Sequence, residues 1–186
     1  MLKKPVCISI TALLVLLDQC IKLFIHFFFR NSEINIIGEY IQFKPYLNIE
    51  YSWINSLLHL GIGRYIHILV LILVILAVGI CFKFIRAMKK GDKLVDILFI
   101  VIISGALCSL IDKVFWGGSL DYIALKGLFI FDLKDVYITI FEMLLAGMLV
   151  FNYKGLRRMD DKKLYRNFKS FVKNETGAFG RSRQLK

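Results

Sequence analysis

Cysteine is scarce in this chain and never paired in spacing. Cys7, Cys20, Cys81 and Cys108 lie in or beside apolar runs, far from one another along 186 residues, so neither a disulfide framework nor a metal knuckle is expected. Acidic residues are scarce as well, 14 against 25 lysines and arginines, for a formal net charge of +11. That excess does not point to nucleic acid, because the basic residues fall in blocks beside apolar runs and form no stripe with interleaved aromatics. No internal repeat and no GxxxG helix-packing face is found. Small residues are missing where a processed signal peptide would need them: Leu17, Asp18 and Gln19 precede Cys20, so the first apolar run is expected to remain as a helix.

What the chain has in plenty is apolar side chain. At 58% hydrophobic residues and a mean hydropathy of +0.65, it carries more apolar surface than a core of its own size can bury, so lipid must be part of its solvent. Four runs, residues 5–29, 66–82, 94–111 and 136–153, approach the roughly 17 to 25 residues that a spanning helix needs. Lys3 and Lys4 precede the first run, Lys83, Arg86, Lys89, Lys90 and Lys93 crowd the second connection, and Lys154, Arg157, Arg158, Lys162, Lys163 and Arg166 open the tail. The positive-inside rule then predicts both termini in the cytoplasm. The expected architecture is a membrane all-α fold, four transmembrane helices within residues 1–153, with a small extracytoplasmic β-sheet at about residues 30–65 and a basic cytoplasmic tail over 154–186.

In the first outer segment, residues 34–37 and 40–43 read as short strands broken by Gly38 and Pro45. The sequon at residues 174–176 falls on the cytoplasmic side of this topology. The near half of the tail, with Leu156, Leu164, Phe168, Phe171 and Val172, reads either as an amphipathic helix on an anionic leaflet or as a solvated segment.

Polar residues inside the runs carry the chemistry. Asp18 and Lys22 are four apart on one helix face and can neutralise one another, either as a packing device or beside a reaction centre. Glu142 is expected against a polar partner such as Lys22. The remaining acids gather at one boundary: Asp112 ends the third run, Asp121 lies in the loop that follows, and Asp132 and Asp135 open the fourth helix, where exposed backbone amides favour negative charge. Carboxylates are costly next to a bilayer and repel one another. Three readings are open: hydrated loop acids, a site for a hard cation, or a dyad in which one carboxyl keeps its proton while the other activates water. Asp132, one turn from Asp135, is expected to raise the apparent pKa of the group unless Lys134 or Lys113 compensates.

Four short motifs resemble one family. Asp18-Gln19-Cys20-Ile21-Lys22 is similar to Asp-Gln-x-x-Lys, and the run from Gly105 through Ser109 and Asp112 to Lys113 is similar to Gly-Ala-x-Gly-Asn-x-x-Asp-Arg. Ser119-Leu120-Asp121-Tyr122-Ile123 is similar to Val-Val-Asp-Phe-Ile, and Phe131-Asp132-Leu133-Lys134-Asp135 to Phe-Asn-x-Ala-Asp. In this order on four spans, they resemble the lipoprotein signal peptidases (signal peptidase II), over roughly residues 10–153.

The resemblance implies a bacterial inner-membrane aspartic endopeptidase, a monomer with its active site at the outer face and no cofactor or metal. It would remove signal peptides from prolipoproteins whose cysteine already carries diacylglycerol, with membrane lipid as its other partner. Asp121 and Asp135 match the catalytic pair, and Asp18, Lys22, Asn48 and Asp112 match supporting residues. Ser109, Lys113 and Asp132 replace the family's asparagine, arginine and asparagine, and Glu50-Tyr51-Ser52-Trp53 replaces Gly-Ala-Ala-Phe. Lysine in place of arginine loses a planar two-pronged donor. These departures leave an alternative, a catalytically impaired paralogue that binds lipoproteins; a small transporter is a weaker third reading.

Overall fold

The structure is a computed structural model that describes residues 2–87, 93–151 and 165–173. Helix α1 spans Lys4–Phe28, with Pro5 in its first turn, where a missing N–H leaves no hydrogen bond unmade. A five-residue helix α2, Trp53–Leu57, is capped by the Ser52 side chain, and α3 covers Arg64–Ala87. Helix α4, Lys93–Ile111, continues through a wide π-type turn, Asp112–Trp116. At 1.5 Å per residue the 24-residue helices reach about 36 Å, more than the hydrocarbon thickness of a bilayer. These three are long and apolar enough to cross a membrane. The fourth predicted run becomes α5, Leu133–Val150, whose 18 residues include the charged Lys134, Asp135 and Glu142.

Burial is inverted relative to a water-soluble bundle. Ile8, Leu13, Leu69 and Leu76 are exposed, while Asp18, Lys22, Ser104 and Asp112 are fully buried. Apolar side chains outside and polar ones inside is the arrangement lipid favours. Gly105 sets the spacing of α4 against α5: a Cβ there would lie 2.9 Å from the Ile138 side chain and 3.4 Å from the Lys134 carbonyl. Its bare backbone brings the polar first turn of α5 against the end of α4.

The sheet differs from expectation in extent and reason. Strands β1 (Ile34–Ile37), β2 (Ile41–Asn48), β3 (Ser119–Leu125) and β4 (Ile130–Phe131) form one antiparallel sheet in that order. Half of its strands therefore come from the connection between α4 and α5, outside residues 30–65. Pro45 does not end β2; a register shift between Phe43 and Tyr46 takes up the residue that cannot donate a ladder hydrogen bond. Asp121 lies on β3 rather than on a loop, opposite Tyr46. Gly118 permits this pairing, since a Cβ there would sit 2.7 Å from the Asn48 carbonyl oxygen. Ile25, Leu120 and Tyr122 pack the sheet onto α1.

At the opposite end of the bundle, buried Asp96 accepts hydrogen bonds from the Leu2 backbone N–H and from Arg86 Nη1, the latter at 3.2 Å. Residues 165–173 are helical, and Phe168 and Phe171 stack against Phe84 of α3 at 5.2 and 5.6 Å. Leu156 and Leu164 of the expected amphipathic tail lie outside the described residues, as does the sequon.

Candidate active site

Five aspartates converge at the sheet end of the bundle: Asp18 from α1, Asp112 from the π-type turn, Asp121 from β3, and Asp132 and Asp135 from the start of α5. Lys22, projecting from α1, meets three carboxylates: Asp18 at 3.0 Å, Asp112 at 2.6 Å and Asp132 at 2.7 Å. The first of these is the expected i,i+4 pair. The expected partnership with Glu142 is not found; Glu142 is exposed and lines a cavity on the other side of the cluster. An ammonium with three buried acceptors is locked in place, because removing it would leave uncompensated charge in a low-dielectric interior.

Asp112, at the start of the π-type turn, also accepts from Ser119 Oγ at 3.2 Å and from Gln19 Nε2 at 3.2 Å. Gln19 bridges onward to Asp18 at 3.0 Å and accepts from the Trp116 indole at 3.1 Å. Lys113 turns the other way and donates to Ser109 Oγ, one helical turn back, at 2.9 Å. So two of the residues that depart from the family motif here, Ser109 and Lys113, meet each other.

Asp121 is nearly fully buried. It accepts from Ser119 Oγ at 2.6 Å, from Lys134 Nζ at 3.3 Å and from Asn48 Nδ2 at 3.3 Å. The alternation of a strand explains the first contact: residues two apart share a face, so Ser119 and Asp121 point the same way. Burial pushes the Asp121 carboxyl above the usual carboxylate range, with Lys134 pulling against it.

Asp132 is the N-cap of α5. Its side chain accepts from the Asp135 backbone N–H at 3.3 Å, and the Asp135 side chain accepts from the Asp132 backbone N–H at 3.2 Å, a reciprocal capping box. Burial alone would raise the Asp132 carboxyl, but Lys134 at 2.7 Å and Lys22 hold it below the usual range. Lys134 and Lys22, rather than Lys113, offset the Asp132 charge, and the offset is partial, because Asp132 still raises Asp135. Asp135 precedes the apolar run of α5 and is the most accessible acid of the group, its side chain 39% exposed. Burial pushes it up, Lys134 opposes, Asp132 and Asp121 add to the rise, and the carboxyl settles at about 7.

Lys134 ties these together, with Nζ also 2.6 Å from Ser119 Oγ, 3.6 Å from Asp112 and 3.7 Å from Asp135. Carboxylate oxygens of Asp121, Asp132 and Asp135 lie within 4.8 Å of one another, a spacing that a hard cation would accept. The Lys134 ammonium already stands among them. Oxygens within 4.8 Å also leave room for one water hydrogen-bonded to both Asp121 and Asp135, since two such bonds span up to about 5.6 Å. From the sequence, Ser119 and Gln19 carry no expected role, and Lys134 only that of offsetting Asp132. A period-two match to Asp121 marks Ser119, and a position between two acids on the first turn of a helix marks Lys134.

A cavity of about 880 Å³ opens on one side of the cluster. Asn48, Ser109, Lys113, Asp121 and Asp135 line it, and its rim includes Tyr51 and Phe129. Asp18, Lys22, Asp112 and Asp132 do not reach it and form the layer behind. Five carboxylates against three buried ammonium groups leave surplus negative charge, which proton uptake relieves, and both aspartates on the cavity wall are raised, Asp135 to about 7.

None of the curated proteins matches the chain. Two solved bacterial membrane enzymes share its fold. One, determined in meso at 2.3 Å, aligns with a TM-score of 0.68 at 18% identity over 85% of this chain and 94% of its own. The other, determined in meso at 1.9 Å, aligns with a TM-score of 0.64 at 20% identity over 78% of this chain and 93% of its own. A family profile described as Signal peptidase (SPase) II matches residues 10–151. With that match covering most of the chain, and the motif aspartates gathered at one end of the bundle, the protein belongs to the signal peptidase II family.

Proposed function

We propose that the protein is an aspartic endopeptidase that removes signal peptides from diacylglyceryl-modified prolipoproteins, with Asp121 and Asp135 as its catalytic pair. The observation that carries the reading is the pairing of these two acids, within water-bridging reach of one another, on the wall of the cavity, with the other carboxylates tied up behind them. A water held between the pair attacks the scissile carbonyl carbon. One carboxyl takes the water's proton and the other donates to the carbonyl oxygen, after which the tetrahedral centre collapses with proton transfer to the leaving amine. Asp18, Lys22 and Asp112 support this pair through the ion network, Asn48 orients Asp121, and Ser109 and Lys113 line the path of the peptide.

The α5 helix is the fourth span in this reading, both termini face the cytoplasm of a bacterial cell, and the sheet lies on the outer face of the inner membrane. There the diacylglycerol of the substrate cysteine stays in the bilayer and supplies binding energy and orientation, while the groove reads the few residues before it.

The test is purified protein in detergent with a diacylglyceryl-modified prolipoprotein, the products read by mass spectrometry. A cut immediately before the lipid-bearing cysteine, absent for the unmodified precursor, is the expected result. Binding of the lipidated precursor without any cut would instead support the impaired, lipoprotein-binding paralogue.

A further inference from the structure

The two candidate catalytic acids are not equivalent in this protein, and the group that distinguishes them is Lys134. In the family motif the corresponding position is alanine, and the position two before it is asparagine. Here both carry charge, and the charges meet, Lys134 Nζ to Asp132 at 2.7 Å. Asp132 and Lys134 thus enter the site together as a nearly neutral pair. A lone lysine or a lone aspartate there would leave a buried charge unmatched.

The pair is placed asymmetrically. Lys134 Nζ stands 3.3 Å from Asp121 and 3.7 Å from Asp135. It donates to Ser119 Oγ at 2.6 Å, and Ser119 in turn lies 2.6 Å from Asp121. Asp121 therefore receives a direct cation, a hydroxyl oriented by that same cation, and the Asn48 amide. Hydrogen bonds to the charged form favour it. Asp135 receives one backbone N–H from its own capping box and faces the cavity. Other charged groups surround both acids: Asp18 and Lys22 on α1, Asp112 and Lys113 on the π-type turn, and Asp132 beside Lys134. In the layer behind, the one Lys22 ammonium is shared by Asp18, Asp112 and Asp132.

Resting on the aspartic-peptidase reading above, we infer that Lys134 is a positioning residue that fixes Asp121 as the ionised base and leaves Asp135 to carry the proton. In the attack step Asp121 takes a proton from water as the new C–O bond forms, and the Asp135 proton passes to the carbonyl oxygen as its double bond opens. In the second step the C–N bond breaks, the Asp121 proton goes to the leaving nitrogen, and a hydroxyl proton of the tetrahedral centre returns to Asp135. Water and peptide are converted to acid and amine with both carboxyls restored. Burial, with the Asp132 and Asp121 charges adding to it, pushes Asp135 up to about 7 against the pull of Lys134, which favours a proton there.

The experiment is carbon-13 NMR titration of the aspartate carboxyls in the purified full-length protein, assigned with Asp121→Asn and Asp135→Asn. In the wild type, Asp121 is expected to lose its proton at a pH at least about one unit below Asp135. Lys134→Met should move the Asp121 midpoint up by about one unit or more, and by more than it raises that of Asp135, so that the gap narrows, while Lys134→Arg keeps the order. Should Lys134→Met fail to fold, Asp132→Asn/Lys134→Met removes the opposite charges together. The Asp121 midpoint should still rise in it, because Lys134 outweighs Asp132 at that carboxyl. Coincident titration in the wild type, the reverse order, or an Asp121 midpoint indifferent to Lys134 overturns the inference. The titration needs no substrate, so an intact order in a protein that cuts nothing would strike the function reading alone. A faster cut by Lys134→Met than by the wild type would show Lys134 to be inhibitory and would also overturn the role given to it.

Discussion

Helix α4 carries a buried acid at each end, and the two ends behave differently. Asp96, in the first turn, meets Arg86 and the Leu2 backbone N–H, and it lines no described cavity. Asp112, about 24 Å further along by helix rise, joins a cluster in which five carboxylates share three buried lysines. Both acids are fully buried. Burial of charge is thus shared by a clasp and by a candidate reaction centre. What separates them is surplus and access: Asp96 is matched by Arg86, whereas the sheet-end cluster has more acids than bases and opens onto a cavity. A surplus that burial penalises is what forces protons onto carboxyls at neutral pH.

The largest effect should come from the cavity side of that contrast. Asp121→Asn is expected to lower the rate of prolipoprotein cleavage by about a thousandfold or more, as loss of a positioned acid–base group does. Size-exclusion behaviour and the melting temperature should remain near wild type, since an asparagine oxygen in the place of Asp121 Oδ1 still accepts from Ser119 and Lys134. A rate within tenfold of wild type would make the sheet-end cluster a second clasp.

Next in size is the layer behind. Lys22→Met removes the one cation that touches Asp18, Asp112 and Asp132 together, and should destabilise the folded protein by about 3–5 kcal/mol, read from denaturant unfolding in mixed micelles. An unchanged midpoint would mean that those acids are not ionised together in the folded state.

A smaller change sharpens the electrostatics. Asp135 is raised to about 7 partly by the charge of Asp132, and the proton-bearing form is the one the mechanism uses, so activity falls as pH rises through that value. Asp132→Asn removes a negative charge, lowers the Asp135 midpoint, and should move the alkaline limb of kcat against pH downward by roughly one unit. A limb that stays in place would separate the two halves of the capping box electrostatically.

Much of this contrast was legible in the sequence. Hydropathy located all four long helices, and the basic blocks gave an orientation on which the inner and outer ends can be named. Aspartate spacing and motif order picked out Asp121, Asp135, Asp18, Lys22, Asn48 and Asp112, all of which meet at one end of the bundle. What was hidden depended on partners distant in the chain. Ser119 to Leu125 looked like a loop because its strand character comes from pairing with β2, which no local pattern in that segment reports. Pro45 looked like a break because a bulge that absorbs it is a property of two strands. Lys134 reads in the sequence only as a charge that could offset Asp132. Only the close approach at Gly105, together with the return of β3, encloses it among acids. Glu142 was assigned to Lys22 by face and period, but three nearer carboxylates had already taken that ammonium.

The central claim is that the two polar ends of α4 divide structure from chemistry. Asp96→Asn and Asp135→Asn, measured side by side for thermal stability in detergent and for cleavage of a diacylglyceryl-modified precursor, test it most directly. The account predicts a lower melting temperature with turnover preserved for Asp96→Asn, and turnover lost with melting temperature preserved for Asp135→Asn. Cleavage by Asp135→Asn at the wild-type rate would contradict it.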